Sequence, residues 1–214
     1  MTQDTLSPSE KQPSTALPTA SDTSSAQSSE QFIDQLINDQ LNVSDSQDGL
    51  SSAAEVEIST EKFPARERRI QASVFIPQPV DKVWSILTDY EHLSDFIPSL
   101  SSSKLLQNSE GLIRLEQIGT QCFLKVKFCA RVVLDMTENF PHEIGFSMQE
   151  GDFKMFKGAW QLTPSEDQQG TFLSYNLDVK PPLAMPVKLI EHHLKHNLTA
   201  NLQAIHHRAL QLAT

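Results

Sequence analysis

Glycine and cysteine are scarce in this chain, with seven and two among 214 residues. Glycines so few and scattered leave no glycine-rich loop that would cradle a phosphate, which excludes the common nucleotide-binding motifs. No Gly-x-Ser-x-Gly elbow occurs, so a hydrolase-type serine nucleophile has no foothold. Long hydrophobic runs are also missing: none approaches the ~20 apolar residues that a membrane span requires. Nor is there a surplus of base. The 27 acidic residues outnumber the 17 basic ones, for a net charge of −10, and nucleic acid is therefore not an expected partner. Read as points on one extended strand, Cys122 and Cys129 stand roughly 23 Å apart, beyond disulfide reach. Reduced thiols point to the cytoplasm. The N-terminus has no basic segment followed by an apolar one, and it is acidic where transit peptides are basic, so no leader is expected.

What is present divides in two. Residues 1–60 hold ten acids and one base, and the remainder is nearly balanced at 17 acids and 16 bases. The N-terminal part is rich in Ser, Thr, Gln and Pro and cannot bury enough apolar surface to offset the entropy of ordering. Residues 1–61 are expected to form a disordered acidic tail. Within it, Phe32, Ile33, Leu36, Ile37 and Leu41 share one face of a short helix over 29–41, and Ser28 with Gln31 fits a capping box. That segment is either a helix without a partner or a docking motif for another protein.

Residues 62–214 have the length of one domain. Ile70, Ala72, Val74 and Ile76 alternate as a first strand that Pro77 and Pro79 end. Val80, Val83, Trp84 and Leu87 then make a helical stripe, and Leu93, Phe96 and Ile97 a second short one stopped by Pro98. Strands follow around Lys104 and from Ile113 to Gln117. From Cys122 to Asp135 every even position is apolar and the charged residues Lys125, Lys127, Arg131 and Asp135 fall on the odd ones, which predicts one long strand with a dry face. Three more strands run through Ile144–Met148, Phe156–Leu162 and Thr171–Val179. Gly151-Asp152 supplies a hairpin turn before the second of these. Beyond Pro186, apolar residues from Val187 to Leu212 recur at steps of three and four, a helix of about 39 Å. The fold class expected is α+β, a curved antiparallel sheet of about seven strands, two short helices after the first, wrapped on a long C-terminal helix.

Such a sheet gripping one helix encloses an apolar pocket. The run from Val83 through Trp84 and Tyr90 to Leu93, with Phe96-Ile97-Pro98, resembles the START-like (SRPBCC) superfamily. More narrowly it resembles the polyketide cyclase/dehydrase and lipid-transport branch, near the coenzyme Q-binding proteins. Gly151-Asp152-Phe153 with Phe156 to Trp160 is similar to that branch's hairpin. The resemblance extends over about residues 66–213 and implies a helix-grip fold with a ligand cavity between sheet and helix. It leaves function open, because the superfamily includes lipid carriers, quinone binders, cyclases and chaperone activators.

Alternation and the resemblance together nominate Leu115, Gln117, Val126, Phe128, Phe146, Trp160, Tyr175 and Leu198 for the cavity. Phe96, Ile97 and Met185 are nominated for a gate that includes the 181–186 loop. Arg114 and Glu116 are expected outside as an exposed pair. His192 and His196 share a helical face, with Glu191 one residue off it, but the apolar stripe turns that face to solvent, so no metal site is expected. No cofactor is implied and no catalytic residue is nominated. The expected function is binding, and transport, of a hydrophobic lipid, isoprenoid quinone or similar molecule, with transient membrane contact through apolar residues at the gate. The alternatives are a cyclase or dehydratase on a polyketide-like substrate and a protein-interaction module.

Overall fold

The computed structural model describes residues 54–106, 111–123, 126–183 and 186–212, and for residues 120–123 and 126–128 the backbone alone. The candidate helix 29–41 and the rest of the acidic tail to residue 53 lie outside the described residues, as does Met185. Among the described residues, eight strands form one antiparallel sheet in the order β1-β2-β8-β7-β6-β5-β4-β3. They are β1 (Val56–Lys62), β2 (Arg68–Ile76), β3 (Leu100–Leu106), β4 (Ile113–Phe123), β5 (Val126–Asn139), β6 (Glu143–Gly151), β7 (Met155–Pro164) and β8 (Thr171–Lys180). Helix α1 (Val80–Thr88), a single 3-10 turn at Tyr90–His92 and the one-turn α2 (Leu93–Phe96) separate β2 from β3. The long helix α3 (Val187–Gln211) closes the described chain. This is the helix-grip arrangement expected from the sequence.

Two elements differ from the expectation. β1 is an eighth strand, in a stretch read as tail. It pairs with β2 from Val56 opposite Val74 to Lys62 opposite Arg68. Val56 and Ile58 pack on the core while Glu57, Ser59 and Glu61 stay exposed. A short edge strand with charged alternate positions looks, by composition, like a polar tail. The domain therefore begins earlier than residue 62.

The second difference is at Cys122–Asp135, which is two strands and not one. Phe123 pairs with Val126 and Cys122 with Lys127. No Gly, Pro, Asn or Asp marks the reversal, so the alternation ran across it unbroken. Thr120 pairs with Cys129, which leaves the two cysteines diagonal on neighbouring strands. The ~23 Å separation inferred from a single strand does not hold; Cys129 is an exposed free thiol.

The sheet curves around its buried face. A register shift between Val133 and Leu134 sets an extra residue into β6, and Val132, Val133 and Leu134 are all buried there, a bulge that bends the strands. Pro79 and Pro186 stand at the N-caps of α1 and α3, where the absent N–H would have no intrahelical partner anyway. α3 packs along β2, β1 and α1. Its buried residues are Ile190, Leu198, Leu202, Ile205 and Ala209. The Arg68 guanidinium, near the start of β2, donates to Glu191 of α3 at 3.1 Å with both side chains largely buried, and Lys195 lies 3.5 Å from the same carboxylate. Outside the sheet, Arg114 pairs with Asp135 at 2.6 Å and Arg131 with Glu116 at 2.7 Å, so Arg114 and Glu116 face outward as expected.

Candidate functional site

Between the concave face of the sheet and α3 lies a cavity of about 530 Å³, within the roughly 300–1,000 Å³ usual for small-molecule sites. Its floor is β4 to β8. Leu115 and Gln117 come from β4, Val132, Leu134 and Met136 from β5, Phe146 from β6, Phe156 and Trp160 from β7, Tyr175 and Leu177 from β8. Period-two alternation aims these residues at one face. One end is closed by Leu87 of α1, Tyr90, Leu93 and Ile97, with Leu100 at the start of β3. The roof is the N-terminal two-thirds of α3, through Ile190, Leu194 and Leu198.

The floor is aromatic at its centre. Tyr175 stacks on Phe146 with ring centroids 5.4 Å apart and an interplanar angle of 15°, and meets Trp160 at 4.3 Å. Phe156 touches Phe146 at 5.7 Å and Phe153 at 5.4 Å. Phe146 has room because its cross-strand partner is Gly158. A Cβ at that glycine would come within 2.8 Å of the Phe146 ring and would overlap the Asn176 carbonyl. Such paired rings give a rigid apolar surface.

Among the described residues, no Asp, Glu, Lys or Arg lines the cavity. Its polar groups are Ser99, Gln117, Tyr90, Tyr175 and a row on α3 formed by His193, Asn197 and Asn201. Two of them are occupied locally. The Tyr90 hydroxyl donates to Glu138 at 2.6 Å, and the Gln117 amide donates to the Ser103 hydroxyl at 3.3 Å. Ser103, itself buried, donates to the Tyr90 carbonyl at 2.6 Å. Burial, and for Tyr90 also the bond to Glu138, holds both phenols far above their ordinary range, so they remain protonated donors. Burial, then the neighbouring His192 and His196, pushes the His193 imidazole below its ordinary value.

Of the residues nominated from sequence, Ile97, Leu115, Gln117, Phe146, Trp160, Tyr175 and Leu198 line this one cavity. Phe96 is outside the lining; it packs half-buried at the core's edge, under the Arg208 guanidinium at 5.8 Å. Val126 and Phe128 fall where only the backbone is described, and Met185 outside the described residues. Of the proposed gate, Ile97 and Pro186 contribute to the wall, and Leu183 is 83% exposed. Glu191 is engaged by Arg68 and Lys195. The residues that sequence reasoning missed are His193, Asn197 and Asn201. They recur at i, i+4 and i+8 beside the apolar row Ile190, Leu194 and Leu198, a periodic signal that the sequence carries.

A curved antiparallel sheet gripping one long helix over an apolar cavity defines a START-like protein. The chain belongs to the polyketide cyclase / dehydrase and lipid transport family, whose model matches residues 76–205. Over 93 residues it is 29% identical to the ribosome association toxin RatA of Pseudomonas aeruginosa, a match that spans 44% of this chain and 62% of that protein. The fold is similar to that of the Zhui aromatase/cyclase of a Streptomyces species, with 17% identity, a TM-score of 0.59, and coverage of 69% of this chain and 96% of that one. It is also similar to a STAR-related lipid transfer protein of Xanthomonas axonopodis, at 15% identity and a TM-score of 0.57, covering 77% of this chain and 96% of that one. At these identities the two structures speak to fold alone.

Proposed function

We propose that this chain binds a neutral hydrophobic small molecule in the cavity under α3 and carries it unchanged. The observation that supports this reading most directly is a 530 Å³ cavity lined by aliphatic and aromatic groups, with no acidic, lysine or arginine side chain among its described lining. Each methylene of a ligand buried there contributes about 0.8 kcal/mol before the costs of ordering. A carboxylate or phosphate would lose its hydration with no cation to replace it, so a neutral lipid, quinone or similar ring compound fits best. The reading places the carrier in the cytoplasm. The full chain, purified without detergent, is expected to show in native mass spectrometry a bound mass that passes into organic solvent on extraction. Protein that is empty and takes up no apolar probe would defeat the reading.

Transfer to and from membranes is part of the proposal. Ile97 and Pro186 lie in the cavity wall, and the exposed Leu183 stands three residues before Pro186, its carbonyl accepting from the Arg66 guanidinium at 3.0 Å, where its side chain can enter a bilayer surface. Leu183→Asp is expected to slow transfer of a fluorescent lipid from vesicles and to leave the melting temperature unchanged. An unaltered rate places the gate elsewhere.

One observation favours a second reading, a cyclase or dehydratase. His193 is a titratable group in the cavity wall, and burial, then the neighbouring His192 and His196, favours its neutral imidazole, the form that can accept a proton. On that reading an extracted ligand returned to the protein would be chemically altered, and His193→Gln would abolish the change while keeping the binding. A carrier returns the ligand intact.

A further inference from the structure

The hydrophobic-ligand reading accounts for the rings and aliphatic groups of the cavity but not for two polar groups inside it. Tyr175 is only 8% exposed and lines the cavity. Its hydroxyl meets no hydrogen-bond partner among the described residues, and burial alone perturbs it. Asn201, from the roof of the same cavity, has a buried amide oxygen that also lacks a partner. Buried polar groups in folded proteins are nearly all paired, so an unpartnered phenol and an unpartnered amide oxygen on residues that line one cavity mark a place where a bound molecule supplies the bonds.

Packed neighbours position both residues. The Tyr175 ring is clamped between Phe146, stacked at 5.4 Å, and Trp160 at 4.3 Å. Asn201, half-buried, precedes Leu202, which is fully buried, so the helix cannot rotate about its axis here without breaking the core. The pair is complementary in chemistry: the phenol donates, and the amide oxygen requires a donor from the ligand. A hydrocarbon satisfies neither group, and a quinone, which only accepts, satisfies one. A hydroxyl satisfies both kinds of group.

We propose that Tyr175 and Asn201 form a hydroxyl-recognising subsite, and that the cavity selects a neutral ring compound bearing hydroxyl groups over a bare hydrocarbon or a quinone of the same size. This rests on the hydrophobic-ligand reading and narrows it. The aromatic floor orders the ring plane, and the two polar groups fix which edge of the ring faces β8 and α3.

The test is titration calorimetry of the full chain with three matched probes: dihydroxynaphthalene, naphthalene and naphthoquinone. The diol is expected to bind about tenfold tighter than naphthoquinone, the worth of one well-made buried hydrogen bond, and about a hundredfold tighter than naphthalene, the worth of two. Tyr175→Phe, which removes one oxygen atom, should weaken the diol about tenfold and leave naphthalene unchanged. Asn201→Leu, of similar volume, should do the same, so that a folding defect in one variant leaves the other as a test; melting temperatures report on both. Equal affinities for diol and naphthalene, or a diol advantage that survives both substitutions, would overturn the subsite while the hydrophobic-ligand reading stands. A quinone that binds as well as the diol would overturn the requirement for a donor. Failure of all three probes to bind, in protein that also carries no extractable ligand, would overturn the subsite and the carrier together.

Discussion

Gly158 does its work by what it lacks. It stands opposite Phe146 in the β6–β7 ladder and opposite Leu177 in the β7–β8 ladder, and its missing Cβ leaves the space that the Phe146 ring and the Asn176 carbonyl require. The carbonyl belongs to a central strand and has no freedom to retreat. Gly158→Ala is expected to destabilise the fold by about 1–3 kcal/mol through overpacking, seen as a lower urea midpoint, and to reshape the aromatic floor. At the same scale, His193 links the cavity to pH. Burial, then His192 and His196, lowers its pKa from 6.5, and burial acts the same way on His192 and His206. Between that value and the lowered one the unfolded chain binds more protons than the folded chain. Stability is therefore full above 6.5 and declines as pH falls through that window, levelling off once the folded imidazoles are charged. The exposed His92, raised by its bond to Asp89, acts in the opposite direction. Urea midpoints measured from neutral pH down to about pH 5 should fall, and His193→Gln should flatten the decline. A profile untouched by that substitution would remove His193 from the account.

α3 shows how one element divides its labour. Leu202 is fully enclosed in the core and outside the cavity lining, whereas Leu198, one turn earlier, is buried but lines the cavity. Leu202→Ala leaves a void in packed surroundings and is expected to cost about 2–5 kcal/mol. Leu198→Ala enlarges space that already exists, so its cost should be the smaller and its effect on binding of an apolar probe the larger. Equal costs with unchanged binding would mean that the cavity ends short of Leu198. The helix itself was legible in the sequence, since its apolar residues repeat at helical spacing over the whole length. The row His193, Asn197 and Asn201 was not legible as cavity wall. Whether residues beside an apolar stripe face water or a cavity depends on how wide the opposing sheet is, and periodicity along one helix carries no such measure. The Cys122–Asp135 run failed for a related reason: a chain reversal without turn residues keeps the alternation going, and only the pairing of Phe123 with Val126 reveals it.

At the scale of the molecule, the sheet's first edge decides where the domain begins. β1 covers the outer side of β2, and Val56 and Ile58 add to the core. Removing residues 1–53 is expected to leave the melting temperature within a few degrees, whereas removing residues 1–62 should lower it well beyond that by stripping β2 of a partner. Indistinguishable melting curves for the two truncations would make β1 dispensable. The sequence by itself determined the class of fold, because period-two and helical repeats are printed in the order of the residues and depend on local geometry alone. It also determined much of the cavity floor: Leu115, Gln117, Phe146, Trp160 and Tyr175 each occupy the inward parity of their strand. What only the tertiary structure decided is everything that depends on distance between elements. The bulge at Val133–Leu134, the pairing of Gly158 with Phe146, the capture of Glu191 by Arg68, and the meeting of Tyr175 and Asn201 in one cavity each join residues remote in sequence. Their relation exists only once the sheet has curved and the helix has settled across it.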